Sequence, residues 1–297
     1  MAAVADAPAL ARRRRRWEGA PYWLVLPTLA YLGVFFAWPM VQSFQLAFQD
    51  LSGNWSFDPV DRMIHDAAFR PAFTFTLLLV AVIVPLQFAI AFVMALLVNA
   101  KLRGRGILLF VFILPLAVSD LAAGLVWQSI FTDHGYLNTI LQGIGVQDQP
   151  RIWIDPNHSS WLLGEVVLAE MWRSTSFIMV ILVAGLQGIP KEFGEAAEVF
   201  GAGFFQRIRT VILPLLKPAL QVALLFRVIF AFEVFASVIA ITGRAKTTLA
   251  GEALRWQSEY LDSHVAAAYA LLILVLSLVA ATLVVRLLRT PKEKLLR

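Results

Sequence analysis

Six long, mostly apolar runs limit what this 297-residue chain can fold into: about 23–48, 72–98, 107–131, 161–186, 218–242 and 265–288. A helix needs about 20 such residues to cross the roughly 30 Å hydrocarbon layer of a bilayer, and every run is long enough. Composition agrees, with 59% of residues hydrophobic, 15% charged and a mean hydropathy of +0.73; soluble domains carry about 25% charged residues. The expected fold class is an all-α membrane protein with six transmembrane helices. The third and fifth runs carry polar residues near their middles. The first run follows a basic segment, as a signal peptide's apolar region does. It is too long for one and no small-residue cleavage site follows, so it reads as an uncleaved anchor. Arg12–Arg16 lack the remainder of a twin-arginine pattern.

Basic residues set the orientation, because Lys and Arg concentrate on cytoplasmic loops. With the N-terminus inside, 17 fall on the inner side: Arg12–Arg16, the 99–106 loop, the 187–217 loop and the tail from Arg286. Six fall outside, at Arg62, Arg70, Arg151, Arg244, Lys246 and Arg255. Both termini are therefore expected in the cytoplasm. The net charge of +5 is accounted for by topology, and nucleic-acid binding is not needed to explain it. The chain divides into a basic cytoplasmic segment 1–22, a transmembrane domain 23–290 and a tail 291–297. It has no cysteine, which excludes disulfides, thiolate metal sites and a Cys nucleophile. His65, His134, His158 and His264 lie in or beside the outer loops without ligand-like spacing, so no metal site is expected. The long outer loops, about 49–71 and 132–160, read equally as docking surfaces or as solvated connectors.

One segment does not suit lipid. "KEFGEAAEVFGAGFFQRIRTVILPLLKP", from Lys191 to Pro218, is charged and rich in glycine, yet keeps a helical rhythm. Pro190 suits a helix start, and Glu192 and Glu195 sit where the helix dipole favours anions. Ala196, Ala197, Val199 and Phe200 form an apolar ridge, and Gly201 and Gly203 permit a sharp turn. Phe204 to Leu213 restart the helix, and Pro214 and Pro218 are expected to close it before the fifth span. Two short helices joined by a glycine bend beneath the membrane follow from this pattern. An amphipathic helix resting on headgroups is the plainer alternative.

The residue order adds a resemblance. Glu195-Ala196-Ala197, then Gly201-Ala202, then Leu213-Pro214 resemble the EAA loop in membrane subunits of bacterial ABC importers. Phe200 stands where that pattern usually has Asp. "LVAGLQGIPKEF", "ALLFRVIFAFEVF" and "PYWLVLPTLAYLGVFFAWPMVQSFQLAF" look like the sugar-importing branch, in the form of its first permease, of the maltose, trehalose and glycerol-phosphate type. The likeness spans about 23–290. It implies a type I importer permease in the bacterial plasma membrane, pairing with a second, similar permease. It implies that Glu195, Ala196, Ala197, Gly201, Ala202 and Pro214 couple to a cytoplasmic ATPase dimer, which binds ATP and Mg. An extracytoplasmic solute-binding protein would deliver a sugar, a di- or oligosaccharide. The chain has no G-x-x-x-x-G-K-[ST] of its own, and "GRAKTT" (Gly243–Thr248) lacks the glycine spacing. No cofactor and no catalytic residue are expected in it. An ion-driven secondary transporter of a polar solute is the alternative, but it leaves Glu195–Pro214 unexplained.

Ionisable residues inside spans usually face a bundle interior or a water-filled path. Asp120 lies in the third run, Glu170 and Arg173 in the fourth, Arg227 and Glu233 in the fifth. Asp120, Trp127, Trp172, Arg227, Glu233 and Phe235 are candidates to line a sugar path, the aromatic faces set against sugar rings. The alternative is an interhelical ion-pair network, such as Asp120 with Arg173 or Arg227. Glu170 and Arg173, three apart on one face, are expected to pair with each other. Arg227 and Glu233 point about 120° apart on an ideal helix and need different partners.

Overall fold

The computed structural model describes residues 20–100, 103–155 and 158–288. Arg12–Arg16, Lys101 and the tail segment 291–297 lie outside the described residues. The chain is helical almost throughout. α1 (Trp23–Leu46) leads to a short helix, α2 (Asp58–His65), and then to α3 (Phe69–Asn99). α4 (Arg105–Ala117) and α5 (Asp120–Phe131) are separate helices, followed by α6 (Tyr136–Gly143) and α7 (Ser159–Gln187). α8 (Lys191–Val199) and α9 (Phe204–Phe232) flank the glycine bend, and α10 (Ala236–Thr242), α11 (Leu249–Ser258) and α12 (Ser263–Leu287) complete the chain.

Among the described residues five helices are long and apolar enough to cross a membrane, and a bent pair makes six if it counts as one span. α3 packs along α7, and α9 lies against α3, α7 and α12. Their contact surfaces are small-residue seams: Ala91, Ala95 and Ala223 are fully buried among Ile178, Met179, Leu182 and Leu216. In lipid the surrounding tails are as apolar as the side chains, so helices associate where small residues let backbones approach. Nearer the middle, Leu79, Ile83, Val166, Val238 and Ile241 form a second core. The end of the bundle opposite the glycine bend is closed by Met63, Leu249, Val265 and Tyr269. α1 stands apart, its apolar stretch unburied among the described residues; its second half touches α12.

Two expected spans are interrupted. The run 107–131 is not one straight helix: α4 meets the stretch Asp120–Gly143, which α5 opens, at a bend of 100°. Pro115 sits in a 3₁₀ turn, Leu114–Ala117, and Val118 is extended at φ −88°, ψ 131°. Ser119 then caps a fresh helix, accepting a hydrogen bond at Oγ from the Ala122 N–H at 3.2 Å. The run 218–242 likewise breaks at 233–235, where Phe235 adopts φ −146°, ψ −38°. Proline is not what breaks it. Pro214 and Pro218 do not close the preceding section as expected, and the helix runs through both from Phe204 to Phe232. A π-helical turn, Ile208–Ile212, precedes Pro214, with the Leu213 N–H bonded to the Ile208 carbonyl. That wider turn relieves the clash a proline ring makes with the carbonyl four residues back. α1 uses the same device, with a π turn at Gly33–Ala37 ahead of Pro39. Pro85 lies within α3 without interrupting it.

Candidate functional site

The 191–213 segment folds as two helices around a tight bend. Pro190 precedes α8 as its cap residue, and Glu192 lies in the first turn. α8 ends in a Schellman motif. Gly201 takes the left-handed conformation at φ +80°, its N–H bonds to the Glu198 carbonyl and the Ala202 N–H to the Ala197 carbonyl, both at 2.9 Å. The sequence order Glu195-Ala196-Ala197-x-x-x-Gly201-Ala202 is what this cap requires: helix formers, then a residue without Cβ strain at the reversal. An ion pair between Glu198 and Arg207 ties α8 to the start of α9 across the bend. Glu195 and Ala196 are exposed, and so is Gly201. Beside them Val199, Phe200 and Phe205 are 85%, 90% and 83% exposed, an apolar knob at the glycine bend. Behind α8 lies a polar cavity of about 770 Å³, lined by Arg105, Gln187, Lys191, Glu195, Glu198 and Arg207. α8 therefore stands off the bundle and is held chiefly by the π turn and the first turn of α9.

The second polar assembly lies in the middle of the bundle. Glu170 on α7 is fully buried. One carboxylate oxygen accepts from the Arg227 guanidinium of α9 at 3.1 Å and from Ser174 at 3.1 Å. The other accepts from Ser237 on α10 at 2.9 Å. Gln87 on α3 donates to the Glu170 backbone carbonyl at 2.8 Å and accepts from Arg227 Nε. Four helices are thus tied by one network in which the Glu170 carboxylate has three donors. Glu170 and Arg173 do not pair as expected. They point to different neighbours: Arg173 reaches Asp120 at the start of α5 instead. The bend at Val118–Ser119 explains the exchange, because it brings the first residue of α5 against α7.

A cavity of about 370 Å³ opens beside this network, lined by Asp120, Arg173, Ser174, Phe177, Arg227, Phe230, Glu233, Val234 and Phe235 among others. Phe177, Phe226 and Phe230 make mutual ring contacts with centroids 5.8–6.3 Å apart, which gives it an aromatic wall. Glu233, at the end of α9, is exposed. Trp127 stacks on Phe131, with centroids 5.5 Å apart, and packs against the central core; neither it nor Trp172 is among the lining residues. Of the sequence candidates, Asp120, Arg227, Glu233 and Phe235 are brought together here. Gln87, Ser174 and Ser237 escaped sequence reasoning. Gln87 carried a signal, as an uncharged polar residue inside the second apolar run; the two serines did not. Among the described residues no cluster of His, Asp and Glu has the arrangement to hold a metal ion.

Residues 87–291 match the family described as binding-protein-dependent transport system inner membrane component. The trehalose/maltose transport system permease protein MalF of Thermococcus litoralis is 32% identical over 232 residues, covering 75% of this chain and 76% of its own. The trehalose transport system permease protein SugA of Mycobacterium tuberculosis is 29% identical, covering 86% of this chain and 81% of its own. Among solved structures, a bacterial alginate ABC transporter in complex with an alginate pentasaccharide-bound periplasmic protein contains a chain that superposes with a TM-score of 0.78. It is 23% identical and covers 93% of this chain and 97% of that one, a likeness of fold.

Proposed function

Because this chain belongs to the family of binding-protein-dependent transport system inner membrane components, a family of importer permeases, we propose that it builds half of the membrane path for a di- or oligosaccharide. The observation that carries the reading is a single unbroken helix, α9, running from the bend beside Gly201 to the cavity that holds Arg227. The solute passes between Asp120, Arg173, Glu233 and the Phe177–Phe230–Phe235 wall, where polar groups meet hydroxyls and rings meet C–H faces. A second, similar permease supplies the other half. A cytoplasmic ATPase dimer, which binds ATP and Mg, receives α8 and the apolar knob, so Glu195, Ala196, Ala197, Gly201, Ala202 and Pro214 serve coupling. An extracytoplasmic solute-binding protein presents the sugar, and both termini lie in the cytoplasm. The names of the trehalose/maltose and trehalose permeases support the choice of a sugar.

The test is ATPase activity of the four-component complex, reconstituted with its binding protein and challenged with maltose, trehalose, longer glucans, glycerol phosphate and amino acids. Stimulation by one neutral saccharide, abolished by Gly201→Asp while the complex still assembles, is expected. Stimulation by amino acids alone, or full uptake by the Gly201→Asp variant, would overturn the reading.

A further inference from the structure

A second pocket shares no lining residue with the central cavity. It has a volume of about 220 Å³ and lies between α10 and α11, lined by Gly243, Arg244, Thr247, Glu252, Arg255 and Ser258 among others. Its floor is Glu252, which has no exposed surface. Neither carboxylate oxygen has a hydrogen-bond partner among the described residues, and the nearest ion-pair contact is Arg255 Nη1 at 3.7 Å. Burial pushes the Glu252 carboxyl up from the ordinary carboxylate value, against the opposing charge of Arg255. A buried polar group without a partner is costly, and a carboxylate more so, unless something supplies donors. The pocket is also firmly built. Thr248 caps α11, accepting from the Gly251 N–H at 3.2 Å and donating to the Val234 carbonyl at 2.7 Å. The Leu249 N–H bonds to Thr76 on α3 at 2.9 Å.

Charge decides what fits. The rim alternates in sign: Arg244 pairs with Glu259 at 3.1 Å, and Glu259 with Arg255 at 3.4 Å. With Glu252 the four formal charges cancel. Two guanidiniums at the mouth oppose a cation, and two carboxylates oppose an anion. The Thr247 and Ser258 hydroxyls add donors and acceptors, while Ile239 and Leu254 offer apolar surface. We propose that this pocket is an outer binding site for a neutral polyhydroxylated compound about one sugar ring in size, whose hydroxyls donate to Glu252. It stands on its own geometry and does not depend on the solute assigned to the central cavity. It lies one hydrogen bond from that cavity, since Val234, which lines the cavity, accepts from Thr248.

The chain has no cysteine, so Ser258→Cys places a single reactive thiol on the pocket wall. The full chain in lipid nanodiscs is treated with a maleimide alone, with glucose, with xylitol, with ethylammonium or with glucuronate. At about ten times its Kd a bound ligand slows labelling roughly tenfold, because only the empty fraction reacts. Slowing by glucose or xylitol, not by the ions, is expected, and Glu252→Gln or Thr247→Val in the same background should remove it while Glu233→Gln does not. The proposal fails if neither polyol protects or if ethylammonium protects as well. It also fails if protection survives both Glu252→Gln and Thr247→Val, or is lost with Glu233→Gln.

Discussion

Replacing Arg227 by Met tests whether the central network is a structural tie. Both partners of the pair are buried, Arg227 at 2% and Glu170 at 1% side-chain exposure. Removing one member of a buried pair leaves an uncompensated charge and costs about 3–5 kcal/mol. Glu170 keeps its bonds from Ser174 and Ser237, which places its own share at the lower end. Gln87 Oε1 loses its Arg227 donor, adding roughly 1 kcal/mol. A loss of about 4 kcal/mol is a shift of nearly three decades in the folding equilibrium, at about 1.4 kcal/mol per decade. Adding Glu170→Gln removes the stranded charge, so the double variant should recover about 2 kcal/mol relative to the sum of the singles. The assay is dodecyl-sulfate unfolding in mixed micelles, followed by tryptophan fluorescence on all four members of the cycle. A loss under about 1 kcal/mol for Arg227→Met, or strictly additive single variants, would refute the reasoning. The Asp120–Arg173 pair is the internal comparison. Asp120 is 50% exposed and lines the cavity, so Arg173→Ala should cost less than Arg227→Met in the same titration.

Three further outcomes follow from close packing, backbone strain and titration. A Cβ at Gly124 would lie 2.6 Å from Ala240 Cβ and 2.9 Å from Ser237 Cα, whereas one at Gly164 meets nothing within 4 Å. Gly124→Ala should lower the melting temperature of the purified protein and Gly164→Ala should leave it unchanged; equal effects would count against the α5–α10 packing. Gly201→Ala forces a side chain into the left-handed region at about 1–2 kcal/mol. Amide exchange at positions 201 and 202 should speed up in the variant, more than in the middle of α8, and unchanged protection there would contradict the cap. Burial works to raise the Asp262 carboxyl, but the Val265 amide and Arg62, 2.8 Å away, outweigh it and hold it below its ordinary value. A depressed carboxyl stabilises the fold above its unfolded value and loses that contribution as pH falls through the folded one. The melting-temperature gap between wild type and Asp262→Asn should therefore be constant near neutrality and close only below about pH 4; a gap independent of pH would refute it.

Much of the architecture was legible because lipid imposes simple length and polarity rules on a sequence. The helices at 23–46, 69–99 and 263–287 differ from the apolar runs by a few residues at their ends. The interruptions were not legible. Pro115 and Pro214 are both prolines in apolar surroundings, yet one breaks a span and the other sits in a continuous helix. The difference lies in the preceding backbone: Pro214 follows a π turn, whereas Pro115 falls in a 3₁₀ turn leading to an extended Val118. Single-residue patterns do not encode that choice. Of the ion pairs named from the sequence, Asp120 with Arg173 forms, whereas Glu170 with Arg173 does not, for the same reason. Glu170 and Arg173 share a helix face, but their partners come from α9 and from a helix start that exists only because α5 restarts at Ser119. The glycine bend was legible in full, since a Schellman cap is written in adjacent residues.

The placement of the breaks suggests how the two ends communicate. From Phe204 to Arg227 the chain rises about 34 Å at 1.5 Å per residue, without interruption. A hydrogen-bonded helix of that length resists bending more than the joints at its ends do. One joint is the Gly201 bend, where α8 stands off the bundle. The other is 233–235, next to the central cavity. On the proposed function, a displacement of α8 by the ATPase reaches α9 through the Glu198–Arg207 pair and the π turn, and α9 carries it to Arg227. There the motion meets Gln87, Glu170 and Ser237 together, so α3, α7 and α10 must move with α9 or break at least one buried bond. The first course is cheaper. The bundle then moves largely as a body, and deformation concentrates at Glu233–Phe235, where cavity-lining side chains change their spacing without disturbing the core.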